Sequence, residues 1–217
     1  MVQAPVGPVL ADALGLPVSV ASHVDAMAGA ELMLGMRRFA PSSSTSLYVY
    51  ARETVGYALM IGGRVHCPAS GPGTIAPLPV HSEMLGGTGG SATAIPDLLR
   101  VAGAGNQQAK ELLAERARVL GGAVALLRDL LNPDEVVVGG QAFTEYPEAM
   151  EQVEAAFTAG SVLAPRDIRV TVFGNRVQEA GAGIVSLSGL YADPLGALRR
   201  SGALDARLQD TAPEALA

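Results

Sequence analysis

The chain has one cysteine and no tryptophan in 217 residues, and aromatic side chains of all kinds make up only 4% of it. A single thiol, Cys67, excludes an internal disulfide and any zinc centre built from several cysteines. Its ordinary role is that of a small buried hydrophobe. Charge is also sparse, at 17% of residues with a net charge of −6. Basic residues gather only as the pairs Arg37-Arg38 and Arg199-Arg200. Such pairs read as solvated helix ends, since a phosphate-gripping surface needs clustered Lys and Arg. These residues are therefore not expected to hold nucleic acid. No apolar run approaches the roughly 18 residues that span a membrane. The opening M-V-Q-A-P-V-G-P-V-L has neither the basic segment nor the apolar core of a signal peptide. The expectation is a cytoplasmic protein without membrane contact.

What is present is apolar sequence, 49% of the chain, enough for one large domain or two small ones. Residues 9–15 predict a short amphipathic helix closed by Gly15, and the β-branched run Leu16–Val20 predicts a strand. Helical spacing of Met, Ala and Leu follows from Asp25 to Met36. Strands are expected at Leu47–Ala51, Gly56–Ile61 and Arg64–Cys67, with Gly62-Gly63 as a hairpin turn. Then come a short helix at Ile95–Arg100 and a long one at Gln107–Leu131 that stops at Asn132-Pro133. The apolar run in D-E-V-V-V-G-G reads as a strand covered on both faces of a parallel sheet. A helix at Tyr146–Ala159, a strand at Ile168–Phe173 and a helix at Gln178–Leu190 complete the pattern. From Asp193 a loose tail is expected, with a short helix near Ala203–Leu208. A hairpin of strands followed by alternating helices and strands implies an α/β layer fold with a mixed sheet.

Between Ser70 and Ala92 the chain carries six glycines, three prolines, His81 and Glu83. The glycines permit tight turns and close backbone approach to a ligand. The cysteines and acids that would give such a loop metal or acid/base chemistry are missing. It is a preserved frame without reagents.

Three segments resemble the ROK family (repressors, open reading frames and sugar kinases), in its transcription-regulator branch. L-G-L-P-V-S-V-A-S-H-V-D-A-M-A-G-A-E at 14–31 is similar to the family's L-G-x-P-V-x-V-x-N-D-x-N-A-x-A-x-x-E. Leu47–Val80 is similar to its glycine-rich hairpin followed by G-x-A-G-E-x-G-H. L-N-P-D-E-V-V-V-G-G at 131–140 is similar to its L-x-P-x-x-I-V-x-G-G. The resemblance spans about residues 8 to 190. It implies an actin-like ATPase fold of two ribonuclease-H-like βββαβαβ lobes, of which this chain would hold mostly the second lobe and part of the first. Residues 1–40 would be the remnant of the first lobe, 41–192 the second, and 193–217 a loosely ordered tail. The family's first phosphate loop and the helix-turn-helix of its repressors find no match here.

Set against the family's motifs, the catalytic positions are altered. The N-D pair, whose Asp is the kinases' general base, falls on Ser22-His23. Asp25 matches the motif's second Asn and cannot replace the base without a shifted backbone. The second phosphate motif, G-T-G-x-G, falls on Arg52–Gly56, where only Gly56 is kept; Glu53 would repel a triphosphate. The Glu and His that contact sugar match Thr74 and Pro77, beside Gly73. The zinc-site cysteines match Glu83, Leu85 and Gly90, and His81 with Glu83 alone cannot make a tetrahedral N/S site. Gly139 and Gly140 stand at the adenosine-side glycines, where a plain strand-to-helix turn explains them equally.

The resemblance thus implies a non-catalytic regulator segment that senses an effector and dimerises. Its candidate effector-binding residues are Ser22, His23, Gly73, Thr74 and Pro77. Its vestigial nucleotide-binding residues are Gly56, Gly139 and Gly140. No metal and no cofactor is expected, and the partners are a second copy of the chain, a sugar or sugar-phosphate effector, and DNA only through an absent N-terminal domain. Two alternatives stand beside it, an ATP-dependent sugar kinase using His23 or Asp25 as base and a ligand-free dimerisation module.

Overall fold

A computed structural model of the chain describes residues 5–35, 44–52, 55–68, 73–74, 95–164 and 167–200. In chain order the described elements are α1 (Val6–Leu14), α2 (His23–Leu34), β1 (Thr45–Ala51), β2 (Val55–Ile61), β3 (Arg64–His66), β4 (Gly73–Thr74), α3 (Ile95–Gly103) and α4 (Gln107–Leu131). They continue with β5 (Glu135–Gly139), α5 (Gln141–Thr144), α6 (Met150–Gly160), β6 (Ile168–Val170), α7 (Val177–Ala192) and α8 (Pro194–Arg200). Two compact units divide the chain, Ser22–Gly181 and the pair of segments Met1–Ala21 with Ala182–Ala217.

The larger unit opens with α2 and then runs β1–β4, helices α3 and α4, β5, helices α5 and α6, and β6. This is the order the resemblance implies apart from α2 and the two-residue β4. Its sheet runs β3-β2-β1-β5-β6, with β4 pairing β2 beside that path. β1 pairs antiparallel with β2 and parallel with β5, and β5 pairs parallel with β6. The mixed sheet expected from sequence is therefore observed.

Alternation along the strands builds two cores. Leu47, Val49 and Ala51 of β1, with Val136 and Val138 of β5, face α4 and α6 through Leu120, Val124, Val153 and Phe157. Tyr48, Tyr50 and Val137 point to the other face, against Val24, Met27 and Ala28 of α2 and Val177 of α7. With both faces covered, β1 and β5 are apolar nearly throughout.

α4 spans the residues read from sequence because its two ends are chemically marked. The Asn106 side chain accepts from Ala109 N at 2.9 Å, and Asn132 closes the helix in the left-handed region at φ 42°. The segment expected as one helix from Tyr146 is instead a 3-10 turn, Pro147–Ala149, followed by α6. Pro147 has no N–H to give, and the tighter turn opens the helix. Residues 141–144, which the sequence reading did not place in any element, form α5.

In the smaller unit α1 ends as expected at Gly15, in the left-handed region at φ 64°. Leu16–Val20 forms no strand; among the described residues nothing pairs with it, and a strand exists only through its ladder. Asp193 does not begin an irregular tail. Its carboxylate accepts from Gly196 N at 2.9 Å and starts α8, with Pro194 at the first helical position. The helix expected near Ala203–Leu208 lies outside the described residues.

Adjacent glycines on α4 give a sharp packing test. A Cβ on Gly121 would lie 2.3 Å from the Val153 carbonyl oxygen of α6, whereas one on Gly122 meets nothing within 4 Å. Gly121→Ala should destabilise by about 1–3 kcal/mol through overpacking. Gly122→Ala should stabilise by up to about 1 kcal/mol through helix propensity. Urea denaturation of both variants checks the pair, and equal shifts would contradict the close α4–α6 contact.

Candidate functional site

Strand register places four residues in one row across the sheet. Thr74 pairs with Gly56, Gly56 with Tyr50, and Tyr50 with Gly139. Three of the four, Thr74, Gly56 and Gly139, were singled out from the sequence. Tyr50 was not, although it occupies the centre.

Behind this row the chain leaves β5 through Gly140, at φ 95°. A Cβ on Gly140 would lie 2.5 Å from the Ala51 carbonyl oxygen and 2.8 Å from the Tyr50 ring, and one on Gly139 would lie 2.3 Å from the Tyr48 hydroxyl. Packing against two tyrosines is thus sufficient to require both glycines.

α2 brings the next residues to the same end of the sheet. His23, its first residue, sets its ring edge-on against Tyr50, with centroids 5.5 Å apart and an interplanar angle of 86°. Ser22 precedes it as the N-terminal cap residue. Gly73 and Thr74 form β4, two strand spacings away across β2. The structure therefore sets His23 against Tyr50, with Ser22 next to it in the chain, and puts Gly73 and Thr74 on the strand beyond Gly56. Pro77 lies outside the described residues, as do Glu53 and the loop positions His81, Glu83, Leu85 and Gly90.

Asp25 lies half-buried in the first turn of α2, with Ser22, Cys67, His23 and His66 near its carboxylate. Burial raises its pKa above the ordinary aspartate value, and those neighbours offset only part of the effect. Cys67 is exposed, not the buried hydrophobe its type suggested. It follows β3 at the sheet edge, and partial desolvation, with the nearby Asp25 carboxylate adding to it, pushes its thiol pKa up. Among the described residues no group of three or more His, Cys, Asp or Glu is placed to hold a metal ion.

A cleft of about 110 Å³ opens on the other side of Tyr50, lined by Arg52, Gly140, Gln141, Thr144, Asn175 and Gln178 among others. Gln178 Nε2 donates to the Tyr50 hydroxyl at 2.8 Å, and Thr144 Oγ1 donates to Asn175 Oδ1 at 2.6 Å. The buried Arg116 donates to the Arg52 carbonyl oxygen and so pins the start of the β1–β2 connection. Sequence reasoning missed Tyr50, Asn175 and Gln178. Their only signal was position, at the end of a strand or the start of a helix following one.

One buried carboxylate fixes α2 in place. Glu31, with its side chain 1% exposed, pairs with Arg169 of β6 at 3.1 Å. It also accepts from the Thr171 hydroxyl and from Val172 N at 3.2 Å. Arg169 in turn holds Glu135 at 2.9 Å.

The raised Asp25 pKa has a defined sign in stability. The folded chain holds this proton more tightly than the unfolded one, so the contribution of Asp25 is complete below the ordinary Asp range. It is lost as pH rises through the folded-state value. Asp25→Asn removes the ionisation, and its stability relative to the parent should increase from pH 3 to pH 7. Thermal melts across that range check this; a difference independent of pH would contradict the desolvated carboxylate.

No family model matches the chain. Proteins named transcriptional regulators in Mycobacterium bovis and Mycobacterium tuberculosis are 87% identical over 246 residues, covering 99% of this chain and 56% of theirs. The chain thus spans about half the length of these relatives. Among solved structures, a ROK family glucokinase from Streptomyces griseus in complex with glucose and AMPPNP aligns with TM-score 0.63 and 18% identity, over 83% of this chain and 71% of that one. A ROK hexokinase from Thermus thermophilus gives 0.60 and 22%, over 84% and 71%. A ROK family transcriptional regulator, a homologue of the Escherichia coli MLC protein, gives 0.60 and 20%, over 82% and 54%. Among the described residues no helix is long and apolar enough to cross a membrane. The chain carries the actin-like ATPase fold of ROK kinases and regulators, as its motifs implied, and its close curated relatives are transcriptional regulators.

Proposed function

We propose that this chain is the effector-sensing and subunit-pairing segment of a ROK-type transcription regulator and performs no phosphoryl transfer. The observation that carries the reading is the state of the base position. By the motif match His23 falls at the position of the kinases' aspartate, and its ring rests edge-on against Tyr50. Phosphoryl transfer needs base, metal and phosphate cradle positioned together. Here the glycine cradle is replaced at Arg52, and the glycines at 139 and 140 are accounted for by tyrosine packing. A regulator needs only a ligand that binds two conformations unequally. The close relatives named as transcriptional regulators support the same choice.

On this reading Ser22, His23, Gly73, Thr74 and Pro77 surround a sugar or sugar-phosphate effector, while Gly56, Gly139 and Gly140 are the remains of a nucleotide site. Neither metal nor cofactor takes part. A second copy of the chain is the pairing partner. DNA is read by residues outside this segment, in keeping with its net charge of −6. The setting is cytoplasmic.

With ATP, magnesium and glucose, the full-length protein containing this segment should consume ATP only at the background rate, and His23→Ala should leave that rate unchanged. Sugar-dependent turnover that His23→Ala abolishes would overturn the proposal. A coupled assay for ADP release measures both.

A further inference from the structure

We propose that side-chain bridges across the cleft beside Tyr50 do the tying that a bound nucleotide would otherwise do, and fix the start of α7 against β1 with no nucleotide present. The proposal rests on reading Gly139 and Gly140 as the remains of a nucleotide site, and names what has taken that site over.

The cleft brings together the end of β1, the helix α5 and the 3-10 turn Gly174–Arg176 that leads into α7. Its volume of about 110 Å³ is well below the roughly 300 Å³ at which small-molecule pockets begin. The Tyr50 ring fills the space over Gly140, where an added Cβ would lie 2.8 Å from it. Close approach to that glycine is thus taken by a side chain of the protein itself.

Three pairs form among the polar side chains of the lining. Gln178 Nε2 donates to the Tyr50 hydroxyl at 2.8 Å, Thr144 Oγ1 to Asn175 Oδ1 at 2.6 Å, and Gln141 Nε2 to the Glu145 carboxylate at 3.0 Å. A ligand site directs a few polar groups at its ligand, whereas these groups satisfy one another. The first two pairs join residues 128 and 31 positions apart and so cross the cleft. Their weights differ. Tyr50 is 4% exposed, so its bond from Gln178 is shielded from competing water. The Thr144–Asn175 pair lies in solvent, where water competes, and adds less. Val177, next to Gln178 in the chain, is buried in the same core cluster as Tyr50 and gives the main bridge an apolar footing. Because the His23 ring rests on Tyr50, Gln178 acts as a positioning residue for a candidate effector residue it does not touch.

Amide hydrogen exchange of the full chain, followed by mass spectrometry, reads the bridge directly. Tyr50→Phe keeps the ring and removes the hydroxyl, and Gln178→Leu removes the donor at an exposed position. Each should speed exchange in peptides covering 174–181 by roughly 2- to 12-fold, the local opening expected for one lost hydrogen bond. The double variant should exchange no faster than the quicker single one, since both remove the same bond. Exchange in α4 should keep the wild-type rate in all three, which marks them as folded. Unaltered exchange at 174–181 in both single variants, or fully additive effects in the double one, would overturn the bridge and leave the vestigial-site reading intact. ATP and adenosine should leave the wild-type pattern unchanged. Protection of 139–145 or 174–181 by either would overturn the proposal and the vestigial-site reading together.

Discussion

The double pairing of β1 is the constraint on which the site depends. Antiparallel contact with β2 and parallel contact with β5 put Tyr50 level with Gly56 on one side and Gly139 on the other. A shift of one residue in either ladder would turn Tyr48 and Tyr50 from the α2 face to the α4 face. The His23 contact and the packing of Gly140 would then be lost together. Register here is fixed by burial on both faces, since Leu47, Val49 and Ala51 must meet α4 and α6 while the tyrosines meet α2.

Within that frame, Tyr50 joins two regions. Its ring meets His23 at the start of α2, and its hydroxyl accepts from Gln178 at the start of α7. Glu31 secures α2 from its other end through Arg169 and Thr171 of the β6 segment. A buried ion pair of this kind contributes little net stability but is strongly destabilising to break. It therefore serves to hold α2 in one position, and with it the side chains of Ser22, His23 and Asp25.

Much of this fold was legible in the sequence where local chemistry marks a boundary. α4 could be read end to end because Asn106 caps it and Asn132-Pro133 stops it. The Gly62-Gly63 turn announced the β2–β3 hairpin, and the V-V-V run announced a doubly covered strand. The failures share a different cause. Leu16–Val20 has strand composition, yet a strand needs a neighbour and the described residues supply none. The short helix after Gly140 and the turn at Pro147 follow from how the chain leaves β5, which local periodicity does not encode. Long-range polar contacts were equally hidden, because nothing near Glu31 in sequence points to Arg169.

The site was legible in part for the same reason. Family-like motifs led to Ser22, His23, Gly73, Thr74, Gly56, Gly139 and Gly140, and the fold brings these to one end of the sheet. Tyr50, Gln178 and the Asp25–Cys67 contact depend on tertiary approach between elements far apart in sequence. The proposed reading of sensing without catalysis rests on the motif differences together with the retained architecture. On the proposed reading, the most direct test is the affinity of the full-length protein for operator DNA, measured by fluorescence anisotropy with and without sugars and sugar phosphates. The account predicts that a bound sugar changes this affinity several-fold without any ATP. An affinity indifferent to every sugar, in a protein that phosphorylates one of them, would contradict it.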